Sequence, residues 1–180
     1  MGKPRRLRLC VRGVLNTSPK HQTVTGGVLQ SLEMNDKNSI QFVWAWAEQL
    51  DEVWRLEGKT GSSWSHPKPF FQEALQYQRL LLALHGELPV AYLVYEVIWG
   101  NTAFLSLLKV LPDHQRRGIG KSMVKLLEER LVQLGFKSYV TSSEAVNQNT
   151  KRFFPDLGFI LIGELQMQHG EELFYLKKLC

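Results

Sequence analysis

The sequence predicts an α+β domain built on a mixed, mostly antiparallel sheet, and three observations carry that reading. Three apolar runs follow one another with turn signals between them. A long helical stripe comes next. Shorter helix and strand patterns then fill the chain to its end.

Over 38–56, Ile40, Val43, Trp44, Ala47, Leu50 and Trp54 recur at three- and four-residue steps, which predicts an amphipathic helix. The stretch GKTGSSWSHPKP, 58–69, is dense in Gly, Ser and Pro and reads as a loop. A short helix is expected over 70–78. The runs 79–85, 90–98 and 103–111 are separated by Gly86 and by Gly100-Asn101, predicting a meander of three buried antiparallel strands. Ile119, Met123, Leu126, Leu127, Leu131 and Leu134 form the helical stripe, with Gly135 as its C-terminal cap. KSYVTSS reads as a strand and NQNTKRFF as a helix capped by Asn147. Two strands close the chain, 159–166 and 171–177. The order is β-β-β-α-β-α-β-β.

The chain has 180 residues, enough for one sizeable core, and 44% of them are hydrophobic, which predicts a folded domain. No apolar run approaches the roughly 20 residues that span a bilayer, and no apolar signal core opens the chain. A soluble, cytoplasmic protein with no membrane partner is expected. Cys10 and Cys180 have no metal-ligand neighbours, so neither a disulfide framework nor a metal site is expected. The net charge of +5 resides in the N-terminus: Met1 to Leu32 holds Lys3, Arg5, Arg6, Arg8, Arg12 and Lys20 with no acid. That leaves 16 of the 22 bases against all 17 acids. The domain itself is nearly neutral, which argues against a nucleic-acid face except through the basic tail. The division expected is a poorly ordered extension over 1–22 and a single domain over 23–180.

LPDHQRRGIGKS, 111–122, ends like a phosphate-binding loop, yet Gln115 stands where that loop needs its first glycine. A dinucleotide fingerprint fails too, because Met123 occupies the place of its third glycine. What remains is Arg116, Arg117, Gly118, Ile119, Gly120 and Lys121, a basic, glycine-containing first helical turn directly after a buried strand. Free backbone N–H groups, the helix dipole and three cations would suit a pyrophosphate there. A ligand-free helix start fits these residues equally well.

The stretch from Val110 to Lys121, VLPDHQRRGIGK, resembles the central motif of the GNAT N-acetyltransferase superfamily, Gln/Arg-x-x-Gly-x-Gly/Ala after a strand and a proline. Downstream, NQNTKRFFPDLGF resembles that family's Asn-x-x-Ala-x-x-Phe-Tyr-x-x-Leu-Gly-Phe segment. The resemblance implies helices on both faces of the sheet and an acetyl-CoA cleft between two splayed strands. It also implies direct transfer of acetyl to the primary amine of a small molecule or peptide, without a covalent enzyme intermediate. Carried over, Leu108, Lys109 and Val110 would meet the donor's arm through their backbone, Arg116 to Lys121 would hold its pyrophosphate, and Asn147 would contact the arm from the facing edge.

The resemblance fails at the proton-transfer positions. Phe154 replaces the family's tyrosine, and Ser142 and Phe104 stand where relatives carry a base. Thr150 replaces a small alanine, and Pro155 should cut the second helix short. Glu144, Glu96 and Tyr139 are the substitute catalytic candidates, and a weak or inactive acyl-CoA-binding module of the same fold is the alternative. Trp44, Trp46, Trp54, Trp64, Phe70 and Phe71 could line an acceptor pocket or simply form core. His66 and His114 are further titratable groups. The acceptor and oligomeric state stay open, a homodimer among the options.

Overall fold

The computed structural model describes residues 39–60, 66–168 and 170–179, all within the unit Ser31–Cys180. The expected extension over 1–22, with its basic charge, lies outside the described residues, as does Trp64. The described chain runs β1 (Ile40–Trp44), α1 (Leu50–Lys59), α2 (Lys68–Gln76), β2 (Leu80–His85), β3 (Leu88–Ile98), β4 (Thr102–Val110), α3 (Ile119–Gln133), β5 (Ser138–Glu144), α4 (Gln148–Asp156), β6 (Ile160–Met167) and β7 (Gly170–Lys178). Seven strands form one sheet in the order β1-β2-β3-β4-β5-β7-β6. All pairs are antiparallel except β4 with β5.

Each face of the sheet carries its own core. On one, Met123, Leu127 and Leu131 of α3 and Phe154 of α4 pack on Leu93, Leu105, Tyr139 and Tyr175. On the other, Val53 and Leu56 of α1 and Phe71 and Leu75 of α2 pack on Leu82, Tyr92, Val94 and Leu107. The α3 stripe is buried at Ile119, Met123, Leu127 and Leu131, whereas Leu134, at the C-cap, is exposed, and Gly135, at φ 87°, takes the left-handed conformation that ends the helix.

Two sequence expectations are corrected. The single helix over 38–56 is a strand followed by a helix. Ile40, Phe42 and Trp44 alternate toward the α3 face while the β1 backbone pairs with β2 from Ile40↔His85 to Trp44↔Leu81. The same apolar residues satisfy a helical step, and pairing with β2 decides between the two. The loop expected from Gly58 also begins late, because α1 continues to Lys59. Pro155 lies inside α4, which ends one residue beyond it. Among the described residues no helix is long and apolar enough to cross a membrane.

Candidate active site

Strands β4 and β5 pair over three residues only: Ala103↔Tyr139, Phe104↔Val140 and Leu105↔Thr141. The Thr141 hydroxyl donates to the Leu105 carbonyl at 2.9 Å and closes the last paired step. Beyond it β4 continues to Val110 and β5 to Glu144 without pairing each other, so the sheet opens between them.

A bulge lies at the mouth of that opening. The β3–β4 register steps from Val94↔Leu107 to Tyr95↔Leu105, and Ser106 is left over. One extra residue changes which side chains share a face. Ala103 and Leu105 belong to the α3-side core, whereas Leu107 and Lys109 face α1 and α2. The Leu108–Val110 backbone lies along the open edge.

At the end of β4 the Gln115 side-chain amide donates to the Val110 carbonyl at 3.0 Å, tying the next loop to the strand. Arg116 and Gly118 both take positive φ, 58° and 81°, and α3 begins at Ile119 with no side-chain cap. The first backbone N–H groups of α3 are therefore left for a ligand or solvent. A Cβ on Gly120 would sit 3.5 Å from Phe153 and 3.6 Å from Leu108, so β4, α3 and α4 converge at that glycine. Arg116, Arg117 and Lys121 are exposed around it. Asn147 caps α4: its side-chain oxygen accepts from the amides of Asn149 and Thr150, at 3.2 and 3.4 Å. Its NH₂ remains as the donor. Backbone donors, an open strand edge and three cations suit a pyrophosphate and an amide-bearing arm, so these residues fit coenzyme A.

The three acid-base candidates divide between the faces. Glu96 shares its β3 face with Tyr92 and Val94, toward α1 and α2, and accepts a hydrogen bond from the Ser106 hydroxyl. Beside it is a cavity of about 20 Å³, room for one water, lined by Phe70, Glu73, Ala74, Arg79, Tyr95 and Glu96. Glu144 is exposed at the end of β5 opposite Glu172. Tyr139 faces the α3 core, fully buried, and donates to Glu128 at 2.7 Å. Burial, with that hydrogen bond added, raises its phenol well above the ordinary value of 10.0, so the group is a poorer acid.

A further charged cluster did not stand out from the sequence. Glu57 of α1 is 4% exposed and receives Lys109 Nζ at 2.9 and 3.0 Å, the Tyr92 hydroxyl, the His66 amide at 3.3 Å and the Thr60 hydroxyl at 3.5 Å. A glutamate four residues after Val53, on the buried stripe of α1, was the signal that could have found it. Burial works to raise the Glu57 carboxyl, but the bonds from Tyr92 and Lys109 and the lysine's charge outweigh it and hold the group below its ordinary value. Burial lowers His66, and Lys109 adds to that against the opposing pull of Glu57 and Glu96. Of the aromatic residues, Phe71 is core and Trp46 and Trp54 are exposed. His114 sits instead against His85, 3.4 Å away.

These shifts predict two stability limbs. The unfolded chain binds more protons than the native one just below the ordinary Glu57 value of 4.5, so stability falls as pH drops through it. Above pH 10.0 the native chain keeps the Tyr92 and Tyr139 protons that the unfolded chain loses, so stability falls again. Urea unfolding against pH should show both limbs, and Tyr139→Phe should remove about half of the alkaline slope.

The sequence pattern of the acetyltransferase (GNAT) family matches residues 42–159, which span both strands of the opening and the glycine-containing helix start. The chain belongs to the GNAT family. Membership supports acyl transfer as its chemistry, with acetyl-CoA as the family's donor. Solved GNAT structures share the fold. Ard1 from Thermoplasma volcanium superposes with a TM-score of 0.71 at 12% identity, covering 78% of this chain and 98% of that one. The ribosomal-protein-S18-alanine N-acetyltransferase from Escherichia coli gives 0.69 at 17% identity, over 78% and 94%. PaiA N-acetyltransferase from Thermoplasma acidophilum, solved in complex with coenzyme A, gives 0.66 at 15%, over 78% and 99%. No curated protein matches the chain. At these identities the likeness concerns the fold alone.

Proposed function

We propose that this GNAT protein transfers an acetyl group from acetyl-CoA directly to a primary amine of a small molecule or peptide. The observation that carries the reading is the opening of β4 from β5 with Glu96 beside it, on the face away from α3. In this reading the Leu108–Val110 edge pairs with the donor's arm and the Asn147 NH₂ steadies it. The backbone N–H groups at the start of α3 hold the pyrophosphate, helped by Arg116, Arg117 and Lys121.

An alkylammonium, ordinarily near pKa ~10.4, must lose a proton before it attacks. Glu96 is the acceptor of that proton, directly or through one water in the adjoining cavity. Ser106 aims the carboxylate. Acetyl-CoA supplies an activated thioester whose sulfur leaves near neutral pH without a strong acid, a thiol of this kind having a pKa of roughly 8.5.

A second reading, a CoA-binding module without turnover, is favoured by Phe154. It is 5% exposed, stacks on Phe159 and Tyr175 and has no proton to give. Screening an amine and peptide library for acetyl transfer by mass spectrometry separates the two. Transfer to at least one amine is expected, and Arg117→Glu should weaken acetyl-CoA about tenfold or more in calorimetry. Tight acetyl-CoA binding with no transfer to any amine would favour the module.

A further inference from the structure

Glu57 gathers donors from Tyr92 on β3, Lys109 on β4, Thr60 at the end of α1 and the His66 amide ahead of α2. None of these side chains has a part in donor binding as described above. Lys109 contributes its backbone to the open edge of β4, but its ammonium points to the other side, toward α1. Tyr92, opposite Lys109 in the register, shares its β3 face with Glu96, so Lys109 and Glu96 belong to one face of the sheet. His66 is on the same side: its amide donates to Glu57 at 3.3 Å, and its ring stacks at 4.7 Å on Phe70, a residue that lines the cavity beside Glu96. An acceptor amine reaches Glu96 as a cation. An uncompensated Lys109 on the same face would oppose it, because the ammonium is largely removed from solvent and like charges there are poorly screened.

We propose that Glu57 is a positioning and specificity-determining residue. It cancels the Lys109 charge on the acceptor face and fixes His66 against Phe70, at the cavity beside Glu96, so that the face admits acceptors arriving as ammonium ions. The assignment rests on the acetyl-transfer reading above.

The test compares Glu57→Gln, Lys109→Met and the double variant, with n-butylamine and a tetrapeptide bearing a free α-amino group as acceptors. Glu57→Gln should raise KM for both amines about tenfold or more while kcat stays within about threefold. The double variant, which removes both charges, should return KM to within about threefold of the parent. A KM unmoved in Glu57→Gln, or unrecovered in the double variant, overturns the charge role. Exchange of the His66 amide, followed by NMR, provides a readout independent of turnover. It should quicken at least about tenfold in Glu57→Ala, and unchanged exchange overturns the positioning role. Should the parent protein acetylate neither amine nor any library member, the acetyl-transfer reading fails and takes the specificity role with it, while the exchange measurement still decides the positioning role.

Discussion

Replacing Glu96 with glutamine is expected to lower kcat about 10²- to 10⁴-fold while leaving the dissociation constant of acetyl-CoA unchanged. The substitution keeps the size of the side chain and its hydrogen bond from Ser106, and removes only the capacity to take a proton. Donor affinity should not follow, because the expected donor contacts run through the backbone of Leu108–Val110 and the start of α3, whereas Glu96 meets β4 at Phe104 and Ser106. Steady-state kinetics together with calorimetry reads both quantities. Glu144→Gln is the comparison: it lies on the exposed end of β5, and a loss there as large as at Glu96 would move the base to that strand. Tyr139→Phe should mainly alter stability, since its hydroxyl is engaged by Glu128 inside the α3 core, where Lys177 also reaches Glu128 at 2.6 Å.

The second large effect concerns folding. Glu57→Ala removes the carboxylate from a salt bridge whose side chains are only 1% and 17% exposed, and it leaves the lysine ammonium and the Tyr92 hydroxyl without that partner. Breaking a buried pair from one side costs about 3–5 kcal/mol, much of it the desolvation of the charge left behind. Urea unfolding should therefore show a loss of this size in Glu57→Ala and a smaller one in Glu57→Ala/Lys109→Met, where no buried charge remains. If the two single losses simply add in the double variant, the pair is not coupled as its geometry requires.

The central elements were legible because local and global signals agree there. The meander from Leu80 to Val110 is apolar, bounded by turns and paired as expected, and the stripe from Ile119 to Leu131 has one period and one buried face. The segment over 40–44 reads either way, because Ile40, Val43 and Trp44 satisfy both a helical step and a strand, and only contact with β2 separates them. The elements proposed to hold the donor were legible for a related reason: a glycine at positive φ, a basic helix start and an Asn cap leave their mark at fixed spacings. Acid-base chemistry leaves none. Glu57 and Lys109 are 52 residues apart in the chain and meet only once the sheet and α1 are assembled. Glu96 and Ser106 meet only across a bulge whose position depends on pairing rather than on residue type.

That bulge gives β4 two separate jobs. In the acetyl-transfer reading its edge past Ser106 is read through peptide groups, which every residue except proline presents alike, while its face turns Leu107 and Lys109 toward α1 and α2. Leu107 packs in the core beneath α1 and α2 and Lys109 bonds Glu57, so substitutions there act on that face without changing the peptide groups expected to hold the donor. A single inserted residue thus lets the side chains on one face of this strand vary while the peptide groups proposed for the donor stay as they are.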